Sequence, residues 1–333
     1  MASTEPIIPP LVESIVDTIG RTPMVELKRL KEALQLDGRL LAKCEHMNPG
    51  FSKKDRIALE LMREAKKSGH LSPGQTVVEL TSGNTGTGLA MACKAMGHPF
   101  VAVISKGNTF ERARMMQALG AEVIRVDQAS SSTPNQVSGE DLALVERTAQ
   151  RIVEKRKAYR ADQFQLKGNV LAHERYTGPE IWQQSLGEVD AFVDFIGTGG
   201  TFTGVMSYLR QKKSDVAGYP LEPKGAPALA GGPVLSPSHR IQGGGYSMTK
   251  LPLLDVELVT DYLSVSDEDA INCSQALARE EGIFGGFSSG ANLAGAIQVM
   301  KRLPGSTIVF IVCDSGLKYI STDLYPWSET SEA

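Results

Sequence analysis

At 333 residues, 41% of them apolar, the chain is long enough to build more than one ordinary core, so two packed α/β lobes are expected. Its formal net charge of −3 comes from interspersed acids and bases with no basic stripe, which argues against nucleic acid as a partner. Cys44, Cys93, Cys273 and Cys313 show no Cys-x-x-Cys spacing, which argues against a disulfide framework, a zinc ribbon or a thioredoxin-like motif.

Along the chain, MASTEPIIPP lacks the charged start of a signal peptide and the arginines of a transit peptide, and no apolar run approaches bilayer length. A cytoplasmic protein with reduced thiols is expected. Short apolar runs at Leu40–Cys44, Thr76–Leu80, Phe100–Ile104, Glu122–Val126, Ala191–Ile196 and Thr307–Val312 read as buried parallel strands. Amphipathic stretches at Ile57–Lys67, Gly86–Met96, Phe110–Leu119 and Leu142–Lys157 alternate with them, which implies βαβ units. The polar stretch Gln128–Gly139 and the Gly- and Pro-rich Ala217–Pro237 read as surface loops, the latter with a strand end at Leu221–Pro223. Both chain ends, MASTEP and WSETSEA, are expected to fray.

Four segments carry chemistry. Asn48-Pro-Gly-Phe-Ser-Lys-Lys-Asp-Arg56 places a turn and a Ser52 cap before a helix that opens with two lysines at its positive end. Charges so placed are mildly unfavourable unless one is used, and a lysine desolvated beside other positive potential becomes a nucleophilic amine. In Val77–Gly86 a buried strand runs into Thr81, Ser82, Gly83, Asn84 and Thr85, a set of hydroxyls and amides suited to a carboxylate; an ordinary capped turn reads as well from these residues alone. Gly197-Thr198-Gly199-Gly200-Thr201 lets several N–H groups converge on one phosphate, and it matches neither a P-loop nor a dinucleotide fingerprint. Cys313-Asp314-Ser315-Gly316 sets a small hydroxyl at the carboxyl edge of the last strand.

Other readings fare worse. Gly286-Phe-Ser-Ser-Gly290 fits the nucleophile elbow of a hydrolase, but no histidine follows it, so a tight turn into a helix is the better reading. Cys44 and His46 lack a second pair with ligand spacing, and no metal is expected.

Together and in this order, NPGFSKKDR, TSGNTG, GTGGTFTG, GGFSSGAN and CDSG resemble the cysteine synthase and cystathionine β-synthase family, the fold-type II pyridoxal phosphate (PLP) enzymes, over nearly the whole chain. The resemblance implies an α/β fold of two open parallel-sheet lobes like the tryptophan synthase β chain. Residues 45–160 would form a smaller mobile domain, and residues 1–44 with 161–333 a larger one. It implies PLP joined to Lys54, with Lys53 standing where relatives carry an apolar residue. Asn84 would contact the cofactor's O3′, Gly197, Thr198, Gly199, Gly200 and Thr201 would wrap its phosphate, and Ser315 would face the pyridine nitrogen. Thr81, Ser82, Asn84, Thr85, Gln163 and Gly243 would bind the substrate. The implied reaction is β-replacement on an O-activated serine or related amino acid through an α-aminoacrylate. β-Elimination to a keto acid and ammonia is the alternative. A serine rather than a carboxylate at the pyridine nitrogen leaves the ring a weaker electron sink, which favours rapid loss of a β-leaving group over transamination. Partners would be a small amino acid and a small nucleophile, and a homodimer is expected. Phe51 and the Gly244–Met248 segment depart from the family's smaller residues and are expected at the substrate entrance.

Overall fold

The computed structural model describes residues 10–327 except 131, 134, 135 and 137, so the expectation for MASTEP, and for WSETSEA beyond Trp327, lies outside the described residues. In chain order the elements are β1 (Met24–Glu26), α1 (Lys28–Ala33), β2 (Arg39–Lys43), α2 (Lys54–Lys67), β3 (Val77–Leu80), α3 (Asn84–Met96), β4 (Phe100–Ser105), α4 (Phe110–Ala118) and β5 (Glu122–Val126). There follow α5 (Gly139–Arg156), β6 (Tyr159–Arg160), α6 (Gly168–Ala172), α7 (Gly178–Gln184), β7 (Ala191–Phe195), α8 (Gly200–Lys212) and β8 (Ala217–Pro223). The last are β9 (Leu263–Val265), α9 (Asp267–Glu281), α10 (Phe287–Arg302) and β10 (Thr307–Ile311).

The strands make two sheets, one of six in the order β1-β2-β10-β7-β8-β9 and one of four in the order β5-β4-β3-β6. All neighbours run parallel except β1, which lies antiparallel on β2 with Val25 opposite Ala42. Parallel strands need covered faces, and the period of two shows how these are filled. Leu40, Ala42, Val193, Phe195, Ile308 and Phe310 belong to one core, against α9 and α10. Leu41, Phe192, Val309 and Ile311 face the other way, into a core shared with Phe202, Val205 and Leu209 of α8. Each buried Val, Leu, Ile or Phe side chain among these contributes roughly 1.5–3 kcal/mol of transfer free energy. Around the smaller sheet, α5 turns Asp141, Val145 and Ala149 inward at a spacing of four and leaves its other faces wet.

The reading of Ala217–Pro237 as a surface loop is corrected at its start. Ala217–Pro223 is an interior strand, buried from Gly218 onward and paired on both sides. Gly218, Pro220 and Pro223 look like strand breakers in sequence. Gly218 is instead a packing requirement, since a Cβ there would lie 2.5 Å from the Leu258 carbonyl oxygen.

The parallel order has one functional consequence. The segments after β2, β3, β7 and β10 all leave from carboxyl ends of strands, where ligands of open sheets gather. Among the described residues no helix is long and apolar enough to cross a membrane, and all four cysteines are free.

Candidate active site

After β2 the chain turns through Asn48–Lys53 into α2, and two bonds fix that turn on the end of β10: Lys53 N–H to the Cys313 carbonyl at 2.8 Å and Ser315 N–H to the Phe51 carbonyl at 3.1 Å. Phe51 pays for the turn with a left-handed φ of 63°, unusual for a residue with a side chain, and its ring is 42% exposed. The two lysines then part company. Lys53 Nζ forms a buried ion pair with Asp194 Oδ1 of β7 at 2.6 Å. Lys54 Nζ has no protein partner among the described residues; burial, and next the charge of Lys53, lower it to about 8. At pH 7 roughly a tenth of such an amine is unprotonated.

Behind the lysines, Arg56 joins Glu45 at 2.7 Å and Glu180 at 2.7 Å, and its guanidinium also reaches Thr22. Burial alone would raise Glu45, but Arg56 outweighs it and holds the carboxyl at about 2. This network ties α2 to Thr22 ahead of β1, to Glu45 after β2 and to Glu180 of α7, two residues beyond Lys54.

The loop after β3 is folded by its own hydroxyls. Thr81 Oγ1 accepts from the amides of Gly83 and Gly86 at 2.9 and 3.0 Å. Thr85 Oγ1 donates to Gln163 Oε1 at 2.6 Å, and Gln163 Nε2 donates to the Leu80 carbonyl at 3.1 Å. Thr81, Ser82, Thr85 and Gln163 are thus brought together, as the candidate substrate set requires. Asn84 is engaged at both ends: its Nδ2 donates to Asp314 Oδ2 at 2.7 Å, and its Oδ1 accepts from Lys318 Nζ at 2.7 Å. Asp314 Oδ2 also takes Tyr319 O–H at 2.8 Å and faces Arg112 Nη2 at 3.5 Å.

The glycine loop after β7 starts α8 from Gly199, at a φ of 85°. Thr198 Oγ1 accepts from Asn169 Nδ2 at 2.8 Å, and Thr201 Oγ1 meets His173 Nε2 at 3.1 Å. Burial and then the positive charges of Lys53, Arg56 and Lys54 push His173 well below its ordinary range, so it is neutral. Gly197 lies against Gly243, whose carbonyl oxygen would be 2.7 Å from a Cβ on Gly197. A Cβ on Gly243 itself would meet nothing nearer than Ser82 Oγ at 3.7 Å, so this glycine keeps a gap open between the β3 loop and the glycine loop.

Comparison with known proteins gives the family. The profile of the family described as pyridoxal-phosphate dependent enzyme matches residues 15–314. The chain belongs to the pyridoxal-phosphate dependent enzymes. It is 38% identical over 318 residues to cysteine synthase 3 of Caenorhabditis elegans, spanning 95% of this chain and 90% of that one. It is 36% identical over 322 residues to cysteine synthase of Staphylococcus aureus, spanning 96% and 98%. Among solved structures, O-ureido-L-serine synthase superposes with a TM-score of 0.86 at 37% identity, covering 97% of this chain and 98% of that one. A cysteine synthase of Entamoeba histolytica gives 0.88 at 31%, covering 100% and 96%. The fold class and the cysteine synthase kinship expected from sequence therefore hold, and the cofactor is PLP.

The residues present fit that group. A lysine with a free, readily deprotonated amine, a glycine loop opening a helix, and a gap preserved by Gly243 are what a phosphorylated aldehyde requires. Two serine hydroxyls, Ser315 and Ser288, lie on the loops of this site. Ser315, the residue matched from sequence, uses its Oγ to accept from Leu317 N–H at 3.2 Å and so caps the turn that follows. Ser288, in the first turn of α10, donates to the carbonyl of Gln242 at 3.3 Å, next to Gly243 and the gap. Its signal in the sequence was the GGFSSGAN segment. Asp194, Asn169, His173, Lys318 and the Arg56 network were not anticipated at all, because each depends on partners far away along the chain.

Proposed function

We propose that this PLP enzyme catalyses β-replacement on an O-activated serine or a related small amino acid. The observation that carries the proposal is Lys54: a buried lysine whose amine has no partner among the described residues, lowered to about 8, at the start of α2 in a chain kin to cysteine synthases and an O-ureido-L-serine synthase. PLP, when bound, supplies an electron-withdrawing ring that acidifies the Cα–H of the attached amino acid. Lys54 Nζ removes and holds that proton. Thr81, Ser82, Thr85 and Gln163 grip the substrate carboxylate; the Thr81 oxygen already accepts from two amides, which leaves its O–H to donate outward. Asn84 is assigned to O3′, Gly197–Thr201 to the phosphate, and Gly243 to the space beside the substrate.

Phe51 and the Gly244–Met248 segment are assigned to the substrate entrance, where they set which leaving group or nucleophile is accepted. Phe51 is exposed there, and the Tyr246 ring, raised in pKa by burial, sits edge-on to Phe164 at 6.1 Å and reaches Ser82. The test is product analysis with O-acetylserine and a panel of thiol, amine and N-hydroxy nucleophiles. Formation of a new amino acid whose rate depends on the nucleophile supports replacement; pyruvate and ammonia released at the same rate with or without it would establish elimination instead. A homodimer in the cytoplasm, with residues 45–160 moving over the site, belongs to the same reading, and a sedimentation profile of single-chain mass would remove the dimer.

The serine assignment is testable by a pair of variants. Ser288→Ala is expected to shift the visible absorbance of bound PLP and lower turnover about tenfold, the loss of one hydrogen bond to a polar ring atom. Ser315→Ala is expected to lower stability by about 1 kcal/mol through the lost cap, with the absorbance unmoved. Spectra in which only Ser315→Ala responds would return the role to Ser315.

A further inference from the structure

Two adjacent lysines enter the larger lobe, and one carboxylate is there to receive them. Asp194 sits on β7, an interior strand, with its side chain 3% exposed, and Lys53 Nζ holds it at 2.6 Å with a side chain 8% exposed. The main chain of Lys53 is itself pinned, donating to the Cys313 carbonyl at 2.8 Å, so the start of α2 is tied to β7 and to the end of β10 at once. Asp194 is near enough to Lys54 for its charge to act there as well.

We propose that Lys53 is a positioning residue for the PLP lysine: by occupying Asp194 it prevents a competing ion pair between Asp194 and Lys54, and so keeps the Lys54 amine free to meet the cofactor. This rests on the assignment of Lys54 to PLP. Without Lys53, the nearest stable arrangement for a buried carboxylate is to draw in the neighbouring ammonium, because an unpaired charge in that setting is strongly disfavoured. The other groups acting on Lys54 are Cys313 and Asp314 beyond β10, and Cys313 stays a neutral thiol because burial raises it to about 12. His173, which feels both lysines, is neutral too. Asp314 is held by Asn84 and Tyr319. After burial, the largest effect on Lys54 is the charge of Lys53, which lowers it; Asp194 comes next and raises it, ahead of Asp314.

The two single variants should act in opposite directions. In the cofactor-free protein, the pH dependence of Lys54 labelling by an amine-reactive reagent, read by peptide mass spectrometry, should move up by at least one unit in Lys53→Met, a tenfold loss of free amine at neutral pH. It should move down in Asp194→Asn, and the double variant should fall between them. Should Lys53→Met fail to fold, the comparison of Asp194→Asn with the double variant gives the same ordering. The rate at which added PLP becomes trapped by borohydride on Lys54 at pH 7 should follow that order. Profiles that coincide, or single variants that shift the same way, overturn the proposal. Trapping in the unaltered protein keeps the two readings apart: an adduct on another residue defeats the Lys54 assignment, whereas an adduct on Lys54 with unmoved profiles defeats the role of Lys53 alone.

Discussion

Replacing Lys54 with alanine is expected to lower turnover by about 10³-fold or more, with PLP still retained through the glycine loop but no longer covalently trapped by borohydride. Two functions are lost together, the covalent tether and the group that moves the Cα proton, and general base catalysis alone is worth about 10²–10⁴-fold. The environment specifies why no neighbour substitutes. Lys53 is committed to Asp194 and Lys318 to Asn84 and the Gly50 carbonyl, so neither amine is available. Steady-state rates and peptide mapping of the reduced protein check the prediction together; a variant that keeps a trapped adduct and more than a tenth of its turnover would refute it.

Arg56→Ala is expected to cost about 3–5 kcal/mol of stability in urea unfolding, among the largest effects open to a single substitution outside the hydrophobic core. The guanidinium is 2% exposed and Glu45 is fully buried, so removal strands a carboxylate where water cannot reach. The pH dependence should change with it. In the unaltered protein Glu45 is depressed to about 2, so its contribution to stability is present above the unfolded carboxyl value of about 4.3 and fades as pH falls towards 2. In the variant, burial without Arg56 raises Glu45, the sign reverses, and stability should improve on acidification from neutral pH towards 4. Urea midpoints at pH 7 and pH 5 separate the cases; equal losses at both would show that Glu45 is not the group responsible.

The sequence shows some parts of this site plainly and hides others for a physical reason. Loops at the ends of β3, β7 and β10 are visible because anion binding by backbone amides demands glycines and small hydroxyls, a local signature. Strand interiors are visible wherever both faces are covered, as in Ala191–Phe195 and Thr307–Ile311, since those runs are apolar apart from Asp194 and Thr307. Short edge strands such as Met24–Glu26 and Leu263–Val265 carry too few residues for a pattern, and β8 disguises itself with prolines and a glycine that packing demands. The sequence shows two lysines at a helix start as an unfavourable pair of charges. It could not supply the relief, because Asp194 lies 141 positions away and reads in sequence as one polar residue in an apolar strand.

The double engagement of Asn84 sets up a coupling. Its Nδ2 carries two N–H donors, of which one serves Asp314, so the clasp between the beginning of α3 and the turn carrying Lys318 and Tyr319 sets the direction in which the other is offered to a ligand oxygen. By reciprocity, a ligand held by that second N–H steadies the clasp, and whatever loosens the clasp weakens the ligand by the same factor. A distant turn near the carboxyl end of the chain thereby acquires leverage over occupancy of the centre without touching the bound molecule.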